Sequence, residues 1–153
     1  MLNYSLEPVF SYHVQLIAPP EIIGPVPEGL RINMYTQSGK VTGDKIQGIL
    51  RPVGGDWVTI RSDGVGITDV KGTIETQDKA LIYMTYTGVL DFGEDGYQQI
   101  LSGNLPQTAQ IRNTPRFQTA HPNYLWLNRM QAIDIGEIDF TTFVANFDVY
   151  ALR

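Results

Sequence analysis

Apolar and polar residues alternate with period two through most of this chain. In residues 5–17, Leu6, Pro8, Phe10, Tyr12, Val14 and Leu16 fall on one side, and Glu7, Val9, Ser11, His13 and Gln15 on the other. That pattern predicts a strand. Residues 18–29 hold Pro19, Pro20, Pro25 and Pro27 with two glycines and read as a stiff loop. A second strand spans 30–36, with Arg31, Asn33 and Tyr35 opposite Leu30, Ile32 and Met34. Residues 37–40 read as a turn. A third strand, 41–52, is interrupted by Gly43 and Gly48, as suits a bulged or strongly curved sheet. A fourth lies within 54–65, between the Gly54-Gly55 and Asp63-Gly64 turns.

Strands five and six, 65–76 and 80–89, flank a tight turn at Gln77-Asp78-Lys79 and form the clearest hairpin. The long acidic connection 90–105 contains a candidate helical turn at Tyr97–Leu101. Further strands are predicted at 108–117, 124–135 and 140–153. In the second of these Tyr124, Trp126, Asn128 and Met130 share a face. Eight or nine sequential strands with short turns and no amphipathic helix predict an all-β, antiparallel up-and-down barrel over 1–153, with a β-sandwich as the alternative. The barrel is favoured because the second faces carry Arg, Asn, Thr and Tyr. The solvent face of a sandwich should hold more Lys and Glu.

Composition narrows the function classes. Eleven basic residues are scattered among sixteen acidic ones, for a net charge of −5, so nucleic-acid binding is not expected. The chain has no cysteine, hence no thiolate nucleophile, thiolate metal site or disulfide. His13 and His121 lie far apart and neither belongs to a metal-binding spacing, so no metal is expected. Phosphate-binding Gly-rich loops and a Gly-x-Ser-x-Gly elbow are absent, and no cofactor is expected. No apolar run reaches membrane length. The first residues lack the basic and apolar regions of a signal peptide, and the expectation is a cytoplasmic protein.

The segments Leu6-Glu7-Pro8-Val9-Phe10, Gly24-Pro25-Val26-Pro27-Glu28-Gly29-Leu30-Arg31 and Gly54-Gly55-Asp56-Trp57 resemble those of the domain of unknown function 3237 family, also called uncharacterised protein family 0311. Arg61-Ser62-Asp63-Gly64-Val65, Thr114-Pro115-Arg116-Phe117 and Tyr124-Leu125-Trp126-Leu127-Asn128 continue the resemblance in the same order. It implies a small β-barrel and carries no general activity. Two positions depart from the family pattern. Gln118 stands where a Glu is usual, and the hairpin reads Asp78-Lys79 in place of Asp-Gly.

The fourth strand offers the most chemistry. Trp57, Thr59 and Arg61 share a face that suits a cavity wall, opposite an aliphatic face of Val58 and Ile60. Asp56, beside Trp57, is a candidate general base if desolvated, or only a turn cap. Asp63 has the same two readings. Arg61 and Arg112 are candidates to stabilise a developing oxyanion, and Arg31 to bind a carboxylate; each could instead pair structurally with Asp56, Asp63 or Asp69. Tyr35, Trp57, Tyr83, Tyr124, Trp126 and Asn128 are candidate lining residues, or an aromatic core.

The expected partner is a small aromatic or apolar acid or carbonyl compound in the interior. Cofactor-free proton transfer (isomerisation, dehydration or cyclisation) is the catalytic reading. A non-catalytic binding barrel and a filled structural barrel, acting through its surface or as a homo-oligomer, are the alternatives.

Overall fold

Hydrogen bonding joins the period-two segments into one closed wall. The structure is a computed structural model that describes residues 1–153. Its strands are β1 (Leu6–Leu16), β2 (Glu21–Val26), β3 (Gly29–Thr42), β4 (Gly48–Leu50), β5 (Gly55–Ile60), β6 (Val65–Thr76), β7 (Leu81–Asp91), β8 (Thr108–Asn113), β9 (Arg116–Gln118), β10 (Ala132–Asp139) and β11 (Val144–Leu152). Eight of them close an antiparallel barrel in the order β3-β1-β11-β10-β8-β7-β6-β5 and back to β3. Closure leaves these strands without free edges. β2 adds to β3, β4 lies beside β3 and β6, and β9 adds to β7.

Inward residues follow the alternation. Phe10, Tyr12, Val14 and Leu16 of β1 are buried, as are Ala145, Phe147, Val149 and Ala151 of β11. Tyr12 stacks on Phe147, and Phe10 meets Phe117 edge-on. One end of the barrel carries a wholly apolar-walled cavity of about 90 Å³. Here the helix α1 (Gly96–Leu101) buries Ile100, and Phe92 stacks on Phe140 beside Ile32, Val58 and Ile60. No helix is long and apolar enough to cross a membrane.

Several boundaries differ from the sequence reading. The 18–29 loop contains β2, whose residues pair with β3 despite Pro25. Pro25 is tolerated because β2 has only one partner strand. The expected turn at 37–40 is the middle of β3, held by β1 on one side and β4 on the other. A two-sided ladder here overrides turn-forming residues. Of the expected third strand, only Gly48–Leu50 forms a separate strand. Residues 108–117 break into β8 and β9 around Pro115. The largest departure is at 124–135, where Pro122–Arg129 is a 3-10 helix and only the last residues enter β10. His121 caps it by accepting from the Asn123 N–H, and Pro122 supplies a preset φ at its first turn.

Candidate functional site

A second cavity contains polar groups; its enclosed part is about 50 Å³, enough for a few waters or a small group, and it opens to solvent beside Arg51 and Lys71. Its wall is mostly apolar, with Val14, Met34, Val70, Met84 and Phe147 among its residues. Arg51, Lys71 and Thr73 stand with the lining, each with exposed or half-buried surface. Gly72 also faces the cavity. A Cβ there would touch only the Met84 methyl, at 3.5 Å, so the absent side chain leaves usable space.

Asp56 is the one acidic residue in this lining. It shares a strand face with Val58 and Ile60, which are 1% and 0% exposed, and so points inward. Gly54 sets up the approach to it with φ +81 and packs so closely on the Lys71 carbonyl that a side chain would clash. The β5–β6 ladder runs through Gly55↔Lys71 and Asp56↔Val70, skips Trp57 and Val58, and resumes at Thr59↔Ile67. In the gap the Asp69 N–H donates to Asp56 Oδ1 at 2.9 Å, and Arg31 donates to the Trp57 carbonyl. Asp56 Oδ2 keeps no such bond. Desolvation among apolar neighbours pushes the carboxyl up to about 7, against the opposing pull of the Asp69 N–H.

A second set of polar groups runs through the wall. Tyr12 donates to Asp134 Oδ2 at 3.0 Å, and Asn113 Nδ2 donates to Asp134 Oδ1 at 2.8 Å. Thr68 Oγ1 donates to Asn113 Oδ1 at 2.8 Å. Asp134, Asn113 and Thr68 are all at most 2% exposed, so each needs the others as partners. Burial raises Asp134 to about 6, though both donors oppose it. Tyr86 reaches the same region from β7, and burial holds the Tyr12 and Tyr86 phenols well above their ordinary range. Tyr12, Tyr86 and Thr68 line the cavity.

Of the candidates read from sequence, Asp56 alone lines the cavity. The fourth-strand faces are inverted relative to expectation. Val58 and Ile60 face the interior, while Trp57 lies outside against Tyr35 and under the Lys71 ammonium. The reason is that an eight-stranded barrel is largely filled by its own side chains, so the aliphatic face takes the inside. Arg61 and Asp63 pair with each other in an exposed turn, where Asp63 also accepts from the Val65 N–H. That pairing holds the Asp63 carboxyl below its usual range.

Arg112 is exposed and donates to the Ile111 carbonyl and Gln110. Arg31 and Tyr35 sit on the outer face of β3, Tyr35 donating to Glu21. Tyr83 and Asn128 line a shallow outer groove beside β9, where Asn128 Nδ2 donates to the Thr119 carbonyl. Tyr124 donates to Asp78, and Trp126 lies near Met130 and Lys45 at the surface. Tyr124 is buried and Trp126 packs against the core, but the 3-10 helix carries these last residues away from the cavity, which a strand at 124–135 was expected to line.

Sequence reading missed Tyr12, Tyr86, Thr68, Asn113 and Asp134 as a group. Each is polar on an otherwise apolar face: Tyr12 among Phe10, Val14 and Leu16, or Asp134 among Ala132, Gly136 and Ile138. Such a residue, out of phase with the surface pattern, was the available signal. No three His, Cys, Asp or Glu side chains converge as a metal-ligating set.

Comparison with known proteins agrees with this architecture. The chain is 33% identical over 115 residues to a "UPF0311 protein" of Rhodopseudomonas palustris strain TIE-1, covering 74% of each. A β-barrel-like protein of Acinetobacter baumannii AYE superposes with a TM-score of 0.82 at 28% identity, over 100% of this chain and 98% of the other. A more distant structure, an enzyme from Penicillium herquei, has a TM-score of 0.64 at 19% identity, over 97% and 96% of the two chains, and shares the fold. The family model described as "Protein of unknown function (DUF3237)" matches residues 4–151, and the chain belongs to that family.

Proposed function

We propose that a small aromatic or apolar carbonyl compound or acid enters the barrel through the open mouth of this cavity, with its reacting group inside and the rest in the mouth, and that Asp56 moves a proton on it. The observation that carries this reading is the Asp56 carboxylate. It lies in an apolar cavity with one oxygen held by a backbone N–H and the other free, at a proton affinity near neutrality. A base poised near the working pH combines a useful ionised fraction with useful basicity. The bond from Asp69 aims the carboxylate without neutralising it. The chemistry needs no group beyond those of the chain: a proton leaves one atom of the bound molecule for Asp56 and returns to another, as in an isomerisation, or accompanies a dehydration or cyclisation.

The test is a thermal-shift screen of small aromatic acids, hydroxy acids and hydroxyaryl ketones, followed by NMR of the hits in deuterated water. A ligand at 100 times its dissociation constant adds about 2.7 kcal/mol, or roughly 5–10 °C for a chain of this size. Wild type is expected to exchange a substrate proton for deuterium, and Asp56→Asn to bind the same hit with exchange at least 100-fold slower. Hits that bind without exchange would make the cavity a binding site only. A screen in which nothing shifts wild type would overturn the reading.

A further inference from the structure

Asp56, Val70 and Tyr86 occupy one row across β5, β6 and β7, paired Asp56↔Val70 and Val70↔Tyr86. All three line the cavity. Two strand spacings separate the carboxylate row from the phenol row, about 10 Å between backbones. A molecule with a reacting atom and an oxygen a few bonds apart can therefore meet both. The Tyr12 proton is committed to Asp134, and Tyr86 lines the cavity with its own hydroxyl proton uncommitted to that carboxylate, so it is left for whatever enters. A charged ligand oxygen is a stronger acceptor than a neutral phenol.

We propose that Tyr86 donates a hydrogen bond to a carbonyl oxygen of the substrate, with Tyr12, Asp134, Asn113 and Thr68 as positioning residues behind it, so that the substrate class is an enolisable ketone or enone. This rests on the reading of Asp56 as the base. Asp56 takes a proton from the carbon next to the carbonyl. The C–H electron pair becomes the C=C bond of an enolate, and the carbonyl π pair moves to the oxygen facing Tyr86. Reprotonation by Asp56 at a conjugated carbon gives the isomer and restores the carboxylate. Burial keeps Tyr86 protonated throughout, as a donor must be. The apolar wall raises the worth of each hydrogen bond to the developing charge.

The probe is 4-nitrophenol, which, when ionised, mimics an enolate and reports its charge by absorption. The background is Asp56→Asn, whose neutral amide stands for the carboxylic acid present once the enolate has formed. Asp56→Asn is expected to bind the phenolate more tightly than wild type and to lower the bound probe's pKa. Adding Tyr86→Phe should weaken binding at least tenfold and return the bound probe toward its free pKa. Tyr12→Phe should produce a smaller change of the same sign. Gly72→Val, which fills the cavity beside Met84, should displace the probe. A thermal transition retained in Tyr86→Phe shows that the variant is folded.

If Asp56→Asn binds the probe and Tyr86→Phe alters neither affinity nor bound pKa, the Tyr86 assignment is overturned while the Asp56 reading stands. Binding insensitive to Gly72→Val overturns it too, because the probe then sits elsewhere. If the deuterium exchange of the earlier test fails, the base itself is overturned, whatever the probe does.

Discussion

Asp134 is 0% exposed and accepts from both Tyr12 Oη and Asn113 Nδ2. A buried carboxylate is tolerable only with such partners. Its proton affinity, near 6, means that the two hydrogen bonds serve a charged acceptor at pH 8 and a neutral one at pH 4.5. Bonds to a charged group are worth about 1.5–3 kcal/mol and neutral ones about half of that. Tyr12→Phe is therefore expected to cost roughly 1.5–3 kcal/mol at pH 8 and clearly less at pH 4.5, measured by urea unfolding at both values. An equal cost at the two pH values would mean that the charge of Asp134 does not change between them, since the variant keeps the ring and its stacking on Phe147.

The β6–β7 hairpin shows how an element can be right in sequence while one residue in it is strained. Its turn places Lys79 at φ 68, a region that costs an L-residue about 1–2 kcal/mol. The turn is secured elsewhere: the Lys79 N–H donates to the Thr76 carbonyl, and Thr76 Oγ1 donates to Asp78. The Lys79 ammonium pairs with Glu75 at an exposed site, where an ion pair adds little. Lys79→Gly is expected to raise stability by roughly 0.5–1 kcal/mol, after the entropy that glycine adds to the unfolded chain. The check is the unfolding midpoint with an unchanged denaturant slope. The β5–β6 ladder is the opposite case. There the gap at Trp57 and Val58 is filled by the Asp56 side chain, and the irregularity coincides with the candidate base.

For the whole molecule, the two buried carboxyls set the pH dependence of stability. Asp56 and Asp134 have folded values of about 7 and about 6, both raised from 3.8. Between about pH 4 and 7 the native chain therefore binds more protons than the unfolded chain, and stability falls as pH rises through that window. Each group contributes at most about 1.4 kcal/mol per pH unit. Below pH 4 the sign reverses. Asp78, lowered to about 2 by Thr76 and Tyr124, and Glu21, Asp63, Glu75 and Asp139, also lowered, lose their favourable ionised contacts as they protonate. The melting temperature is expected to peak near pH 4–5 and decline toward pH 8. Asp56→Asn should flatten the decline and melt higher than wild type at pH 8. A wild-type profile that rises from pH 5 to 8 would contradict the buried state of both carboxyls.

Period-two alternation predicted the strands, because side-chain direction along a strand depends only on local backbone geometry; it left barrel and sandwich both open, and the mixed faces of β3 and β5 that favoured the barrel turn outward in it. The faces of β1 and β11 were readable for the same reason: one side of each is almost wholly apolar. Tertiary structure decided the rest. Both faces of β5 carry large side chains, and only closure of the barrel selects Val58 and Ile60 for the inside and Trp57 for the outside. Pairing on both sides turned residues 37–40 into strand, and a capped 3-10 helix removed Tyr124, Trp126 and Asn128 from the wall. The polar cluster of Tyr12, Asn113, Thr68 and Asp134 joins β1, β8, β6 and β10. Residues so distant in sequence meet only through the order of strands around the barrel, and that order is a property of the closed sheet as a whole.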